Sequence, residues 1–308
     1  MSNFEVRVTT VTQFSPVLGL FAAFLFTASV EASDFHSPRT AALGGAGHAS
    51  PLLNDAIVLN PSFAAFLHDR VSAGFNYLTY EGAKELQADG TFASPVNGKS
   101  YQVSLQDGRS PLFEAGVAYT DHATGSSIHL GASRPFIRRF GFGIGGKLLF
   151  NEDRSVMDKN INVSFTGLLM KEIQFALIAD NLLENEGTRA RGLLREITLG
   201  TKINILQLIL IYLDPHYFTS PKENQDHWGL EAGIEIAMMS DMFLRFGRYK
   251  NSQIPWITNS GLEFDPYGEG YGMGIGWIGP KISFDFSFAR TSVPIGATSY
   301  NMGATLYL

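Results

Sequence analysis

Hydrophobic and polar residues alternate with a period of two through most of the chain from about Arg70 onward. The clearest segment covers residues 281–289, where apolar residues occupy one set of alternate positions and polar residues occupy the other. The apolar set is Ile282, Phe284, Phe286 and Phe288, and the polar set is Ser283, Asp285 and Ser287. Because successive side chains of a strand point to opposite faces, this alternation predicts β-strands.

Similar segments recur along the chain, separated by turn residues such as Asp107-Gly108 and Gly279-Pro280. One further segment, residues 256–264, is also strand-like, but counting it separately gives an odd number of strands. We therefore assign it to a long outer connection, the alternative being an extension of the barrel wall, and we expect an even count of about 14 strands. The predicted strands begin near Arg70, Tyr101, Phe113, Ser127, Phe140, Asn160, Ile173, Glu196, Leu206, Trp228, Met242, Tyr271, Lys281 and Tyr300.

Connection lengths give an independent indication of the architecture. Long connections follow the first, fifth, seventh and ninth predicted strands, and short ones follow the sixth, eighth and tenth. Outer-membrane barrels have short periplasmic turns and longer outer loops, so both ends of the barrel are predicted to be periplasmic.

A soluble β-sandwich would also alternate, so other features must decide which solvent the apolar faces meet. The alternating segments run for about 9–11 residues, as a tilted membrane-spanning strand requires. The last one, residues 300–308, has Tyr300, Met302, Leu306 and Leu308 on one face. A closed barrel is the only β-structure that leaves no unpaired backbone groups facing lipid. The predicted fold is an all-β transmembrane antiparallel barrel, with membrane lipid around its phenylalanine-rich faces.

The N-terminus contains an apolar run over residues 16–30, shorter than the ~20 residues of a membrane-spanning helix. It follows Arg7 and precedes the small-residue pattern Val30-Glu31-Ala32. This pattern predicts a secretory signal peptide over residues 1–32, the alternatives being a membrane anchor or a buried helix. We therefore expect three parts: a signal peptide at 1–32, an N-terminal plug segment at 33–69 and a barrel at 70–308.

Composition excludes several classes of function. The 308-residue chain has no cysteine, which excludes a disulfide scaffold, a thiolate zinc site and a cysteine nucleophile. Its formal net charge is -6, and it lacks runs of Lys and Arg, so no nucleic-acid partner is expected. With 45% hydrophobic residues, the chain is too apolar to be disordered.

No catalytic or metal chemistry is predicted. The 7 histidines show no metal-ligand spacing, and the chain has no Gly-x-Ser-x-Gly motif. The glycine-rich residues 141–146 lie inside an alternating strand and open no helix, so they do not form a phosphate-binding loop. Glu231 and Glu235 lie on one strand about 13 Å apart, too far for a pair of hydrolase carboxylates. We therefore expect no enzyme, no catalytic residue, no metal and no cofactor.

Residues 37–66 do not alternate, and their motifs carry a family resemblance. The glycine cluster in residues 41–49, then Asn54-Asp55-Ala56 and Leu59-Asn60-Pro61-Ser62, resemble the N-terminal signature of the FadL-like family. These proteins are the long-chain fatty acid transporters and PorV-type relatives of Gram-negative outer membranes. The family usually has Ala where this chain has Ser62. Residues 179–182, 196–200 and 244–247 also resemble landmarks of the PorV-like branch.

The resemblance implies a 14-stranded barrel whose N-terminal segment folds inside as a plug, or hatch. A flexible periplasmic leader is the alternative for this segment. Glycine permits tight backbone conformations and proline fixes φ, as a segment confined in a lumen requires. A short helix is expected near Asn54–Val58. The implied hatch residues are Gly44, Gly45, Gly47, Asn54, Asp55, Asn60 and Pro61.

The same resemblance implies an outer-membrane channel for passive uptake of small hydrophobic molecules such as fatty acids. PorV-type relatives imply a competing function, a non-transporting accessory or shuttle component with a secretion-system protein as partner. A structural surface barrel is a third alternative. An apolar cavity of a few hundred Å3 would favour transport, whereas a filled lumen would favour the accessory function.

The inner face of the predicted barrel is expected to carry charges. Buried charges need partners, so we expect ion pairs within the wall or with the plug, the alternative being the lining of a permeation path. The charged lumen residues are Glu114, Lys147, Asp180, Glu196, Lys202, Glu231, Glu235, Arg245 and Asp285. The candidate residues for binding a hydrophobic ligand are Phe63, Phe66, Leu149, Leu168, Met170 and Ile178.

Overall fold

A computed structural model describes residues 37–308 of the chain with short gaps. The gaps are residues 53, 68–69, 83–97, 111–112, 123–124, 152–156, 224, 240, 259–260 and 294–295. The predicted signal peptide at residues 1–32 lies outside the described residues.

The chain forms a closed antiparallel barrel of 14 strands, which confirms the predicted fold class. Each strand pairs with its neighbours in sequence, and the first pairs with the last. The strands are β1 (Val71–Gly82), β2 (Gly98–Asp107), β3 (Glu114–His122), β4 (Gly125–Ile137), β5 (Phe140–Asn151), β6 (Met157–Leu168), β7 (Ile173–Asp180), β8 (Glu196–Ile205), β9 (Ile209–Phe218), β10 (Trp228–Met239), β11 (Met242–Thr258), β12 (Gly261–Ile278), β13 (Ile282–Val293) and β14 (Ala297–Tyr307).

The seam between the first and last strands closes the barrel. The β1–β14 ladder runs from the Ser72–Tyr307 pair to the Gly82–Ala297 pair without a register shift. The sheet therefore has no free edge, which is the condition for placing β-structure in lipid. Because the strand number is even, the barrel begins and ends at the same rim.

The segment that the sequence left ambiguous belongs to the barrel wall. Residues 255–258 of β11 pair with residues 261–264 of β12 as the outer part of one long hairpin. The strand-like pattern of residues 256–264 therefore extends two strands and adds no separate one. The predicted start of β9 at Leu206 is wrong by three residues, because Leu206 and Gln207 have positive φ in the turn before Ile209.

The outer surface of the barrel is apolar. Phe286 is 47% exposed, whereas its neighbour in sequence, Ser287, is fully buried. Burial alternates in the same way along β14, where Met302 is exposed and Asn301 is buried. Such a pattern puts apolar side chains outside and polar ones inside, as in a lipid-embedded barrel. Among the described residues, no helix is long and apolar enough to cross a membrane.

The N-terminal segment (residues 37–66) contains three short helices. They are α1 (Pro38–Ala42), α2 (Asp55–Leu59) and a 3₁₀ helix (Pro61–Phe66). Ser37 caps α1 by accepting from the backbone of Thr40, and Pro38 occupies its first turn. The predicted helix near residues 54–58 corresponds to α2. One further helix, α3 (Glu186–Ala190), lies in the connection between β7 and β8.

Glycines on the inner face of the barrel leave room for this segment. The space that a Cβ would take at Gly143 is occupied by Pro61 and Ser62, and at Gly272 by Ala41. Strand glycines allow such close approach of another backbone, so their positions set how closely the segment packs on the wall.

Candidate functional site

The nine predicted lumen charges all occupy inward-facing positions of their strands. Several of them are paired. Lys147 pairs with Asp180, and Arg245 pairs with both Glu235 and Asp285. Lys202 Nζ donates to Ser50 Oγ of the N-terminal segment at 3.0 Å. Glu114, the first residue of β3, is buried. These interactions join neighbouring strands to each other and to the segment.

A buried arginine joins α1 to the wall. Arg39 is 2% exposed; its Nε lies 3.2 Å from Glu235 Oε2, and its Nη2 donates to the Tyr212 hydroxyl at 2.7 Å. Arg245 Nε donates to the same Glu235 oxygen at 2.6 Å. Burial by itself lowers the pKa of Arg39, but the nearby Tyr212 and Glu235 outweigh this effect and hold that pKa above its ordinary value. The guanidinium therefore stays charged.

Two buried carboxyl groups, Asp214 of β9 and Glu231 of β10, contact the turn after α1. Asp214 Oδ2 accepts hydrogen bonds from the backbone N–H of Gly47 at 2.7 Å and of His48 at 2.9 Å. His48 Nδ1 lies 2.9 Å from the same oxygen and 3.6 Å from Glu231 Oε2. Burial lowers the pKa of His48, but the hydrogen bond and charge of Asp214, with the charge of Glu231, raise it to about 9.

The second half of the segment is held by neutral hydrogen bonds. Asn54 Nδ2 donates to Ser104 Oγ at 2.8 Å, and Asn60 Nδ2 donates to Thr166 Oγ1 at 2.8 Å. Ser62 N donates to Ser164 Oγ at 2.9 Å. These contacts lie on β2 and β6, so this half of the segment binds a different part of the wall from β9 and β10, which bind Arg39 and His48.

The predicted hatch residues take different roles in this arrangement. Gly44 and Gly45 have positive φ in the turn after α1, and Gly47 has φ of 127°. Asp55 accepts from Ser37 Oγ at 2.8 Å within the segment. Pro61 begins the 3₁₀ helix. The glycines thus shape the turn, while the side chains of Asn54 and Asn60 bind the wall.

A small cavity lies between the segment and the outer rim. Its volume is about 100 Å3, and its lining is mixed. The apolar lining residues are Val58, Leu59, Leu149, Ile178 and Leu193. The polar lining residues include His48, His122, His129, Lys147, Asp180, Glu196 and Glu231. The cavity can therefore present both an apolar surface and hydrogen-bonding groups to a compact molecule.

Of the six candidate ligand residues, only Leu149 and Ile178 line this cavity. The inward placement of Met170 is wrong: β6 ends at Leu168, so the alternation stops there and Met170 is 62% exposed in the following turn. Leu168 lies at the same rim, with its N–H bonded to Arg139 O. Phe63 and Phe66 pack against each other, with ring centroids 5.9 Å apart.

Sequence reasoning missed the residues that hold the segment most tightly. Arg39, His48 and Asp214 were not singled out as wall or plug contacts. A signal was present for part of this set, since Tyr212, Asp214 and His216 alternate with apolar residues along β9. The inward face of β9 could therefore have been predicted, but not its partners in the N-terminal segment.

The sequence shows no metal-ligand spacing, but the folded chain brings three possible ligand residues together. Ligand atoms of His48, Asp214 and Glu231 all lie within 4.8 Å of one another, on the segment, β9 and β10. Three distant parts of the sequence therefore supply one cluster of imidazole and carboxylate groups.

No protein-family model matches the sequence, and a sequence search of curated proteins finds no match. Solved structures share its fold. The CymD monoaromatic hydrocarbon channel is 11% identical with a TM-score of 0.64, covering 88% of this chain and 97% of its own. The toluene transporter TodX of Pseudomonas putida is 12% identical with a TM-score of 0.60, covering 91% of this chain and 99% of its own. A FadL homologue of Pseudomonas aeruginosa is 11% identical with a TM-score of 0.59, covering 91% of this chain and 99% of its own.

Proposed function

We propose that this chain, which has the fold of the FadL-type outer-membrane barrels, lets small hydrophobic molecules pass through the outer membrane, with residues 33–69 as its hatch. Two structures of the same fold are described as a monoaromatic hydrocarbon channel and a toluene transporter. The observation that carries the proposal for this chain is the cavity beside the N-terminal segment. Its lining includes the apolar side chains of Leu149 and Ile178 beside those of Val58 and Leu59 from the segment.

The size of the cavity favours a compact molecule over a long acyl chain. Its volume is about 100 Å3, below the ~300–1,000 Å3 of drug-sized sites. Cavities of about 150 Å3 bind benzene, so a small shift of side chains admits one ring. A fatty acid would require the N-terminal segment to leave its place. We therefore propose single-ring or similarly compact apolar molecules as the substrate class.

Passage requires the hatch to move, because the segment packs directly on the wall. The neutral contacts of Asn54 and Asn60 on β2 and β6 lie on one part of the segment, and the charged contacts of Arg39 and His48 lie on the other. Neutral hydrogen bonds are weaker than charge-assisted ones. The part of the hatch that opens first is therefore residues 54–62.

The test is an uptake assay in an outer membrane that lacks FadL-type channels. Cells that produce this protein should accumulate labelled toluene faster than cells without it, and labelled oleate little faster. Leu149→Trp fills the cavity and should reduce toluene uptake about tenfold. Leu148→Trp is the matched control, because Leu148 is the adjacent outward-facing residue. Equal uptake with and without the protein would contradict the proposal.

A second candidate function is a non-transporting accessory component or structural barrel. The observation that favours it is the filling of the lumen: buried contacts fix the segment on β2, β6, β9 and β10, and the cavity is small. The protein would then co-purify in mild detergent with a protein partner in fixed ratio, without bound hydrocarbon. Mass spectrometry of the extracted native protein distinguishes the two functions.

A further inference from the structure

We propose that His48, Asp214 and Glu231 form a binding site for a divalent transition-metal ion such as Zn2+, which links the N-terminal segment to the barrel wall. The site goes beyond the proposed transport, and its test does not depend on uptake. His48 lies in the turn after α1, Asp214 on β9 and Glu231 on β10.

The spacing of the ligand atoms suits one small ion. His48 Nδ1 lies 2.9 Å from Asp214 Oδ2 and 3.6 Å from Glu231 Oε2. Zinc binds imidazole nitrogen and carboxylate oxygen at about 2.0–2.2 Å in tetrahedral geometry, which places neighbouring ligand atoms about 3.3 Å apart. The two observed distances lie on either side of that value, so only small shifts of the side chains are needed.

Glu231 provides an independent sign that a ligand is missing. The residue is 7% exposed, and its Oε2 accepts no hydrogen bond from any described residue. Leaving a buried carboxylate oxygen without a donor is costly. That oxygen points at His48, and a Cβ at Gly45 would meet the Glu231 carboxylate at 2.7 Å. Glycine at position 45 thus allows this carboxylate to lie directly against the turn after α1.

The local charge also favours a cation. Glu196 lines the same cavity as His48 and Glu231, and its Oε1 lies 3.6 Å from His216 Nδ1. Three carboxyl groups, those of Asp214, Glu231 and Glu196, therefore lie in this region, while the nearby Lys147 is paired with Asp180. A divalent ion is attracted to such a group of carboxylates. Imidazole with carboxylate ligands suits zinc and similar first-row ions, whereas Mg2+ prefers oxygen ligands alone.

The surrounding structure already orients the ligands. The backbone N–H groups of Gly47 and His48 and that of Thr201 donate to Asp214, and they hold its carboxylate in place. On binding, the ion replaces the hydrogen bond between His48 Nδ1 and Asp214, and the ring proton leaves to solvent. The fourth coordination position of the ion faces the cavity, because His48 and Glu231 both line that cavity. Water or a small ligand can bind there.

A bound ion would cross-link the N-terminal segment to the barrel wall. One ion would join the turn after α1 to two adjacent strands of the wall. Removal of the ion would leave the turn with its hydrogen bonds to Asp214 and without the link to Glu231. Metal therefore stabilises the segment in its place inside the barrel.

The test uses the mature chain, purified in detergent, treated with EDTA and then dialysed against Zn2+ or Mg2+. Elemental analysis should find one equivalent of Zn2+ and no Mg2+, and Co2+ should give visible absorption bands typical of a low-coordinate site. His48→Ala and Glu231→Gln should each weaken Zn2+ binding at least tenfold. His129→Ala, which changes another histidine of the same cavity, should leave it unchanged.

Folding of each variant is checked by its heat-dependent electrophoretic mobility, and Glu231→Gln keeps the volume of the side chain if His48→Ala does not fold. Absence of stoichiometric Zn2+ binding to the wild-type chain would overturn the proposal. Binding that persists in Glu231→Gln, or that is lost equally in His129→Ala, would overturn it as well.

Discussion

Arg39 and Glu235, 196 positions apart in sequence, meet inside the barrel with Arg39 Nε donating to Glu235 Oε2 at 3.2 Å. The same oxygen also accepts from Arg245 Nε at 2.6 Å. One carboxylate therefore joins the first helix of the N-terminal segment to β10 and β11. All three residues are buried, so water does not solvate these charges.

Replacement of Glu235 by glutamine should destabilise the protein strongly. It removes the charge that Arg39 and Arg245 share, and breaking a buried pair costs about 3–5 kcal/mol. Denaturant unfolding in detergent, followed by tryptophan fluorescence, measures the loss. Arg109→Ala is the control, because the Arg109–Asp107 pair is largely exposed and such pairs contribute about 0–1 kcal/mol. Equal effects of the two changes would contradict the role given to Glu235.

Gly272→Ala should displace the N-terminal segment while the barrel remains closed. A Cβ at this position would fall on the carbonyl of Ala41, so the segment must move away from β12. We expect faster cleavage of residues 37–66 by added protease and higher conductance in planar bilayers. Gly146→Ala is the matched control, since a Cβ there meets nothing within 4 Å. If both variants keep the segment equally protected, the segment does not depend on this close approach.

Ser62→Ala should weaken the contact of the 3₁₀ helix with β6. The Ser62 hydroxyl lies 2.6 Å from Asn60 Oδ1 and 2.7 Å from Thr166 Oγ1, and all three groups are buried. Loss of the hydroxyl removes the donor to the buried Asn60 Oδ1, at a cost of about 1–3 kcal/mol. Ser292→Ala removes an exposed hydrogen bond and serves as the control in the same unfolding assay. If Ser62→Ala leaves the free energy of unfolding unchanged, the Ser62 hydroxyl does not hold the 3₁₀ helix on β6.

Phe286→Arg should destabilise the barrel in lipid. Phe286 faces outward in β13, opposite Met302 of β14 and Ile275 of β12. An arginine on the lipid face near the middle of a strand costs about 2–4 kcal/mol, and about 0–1 kcal/mol near the interface. Leu206→Arg, in the exposed turn before β9, is the control. Refolding into lipid vesicles at increasing urea concentration gives both values. Equal costs would mean that Phe286 does not face the membrane interior.

The alternation along the chain was sufficient to predict the barrel, because strand periodicity and turn residues depend only on neighbours in the sequence. Residues 281–289 alternate in sequence and have inner and outer faces in β13. The even strand count that excluded a separate strand at residues 256–264 agrees with the structure. The assignment of these residues to a connection is wrong, because they extend β11 and β12, and β12 begins at Gly261 and not near Tyr271. The alternation failed where a strand ended, which placed Met170 in a turn.

The sequence by itself therefore determined the strand count, the inner and outer faces, and which charges point inward, since each depends on neighbours within a few residues. Only the tertiary structure decided which inward groups meet. His48 and Asp214 are 166 positions apart in the sequence, and Arg39 and Glu235 are 196 positions apart. Whether they meet depends on closure of the barrel between β1 and β14 and on how closely the inward-facing glycines let the segment pack on the wall. No local sequence pattern encodes the distance between the segment and the wall.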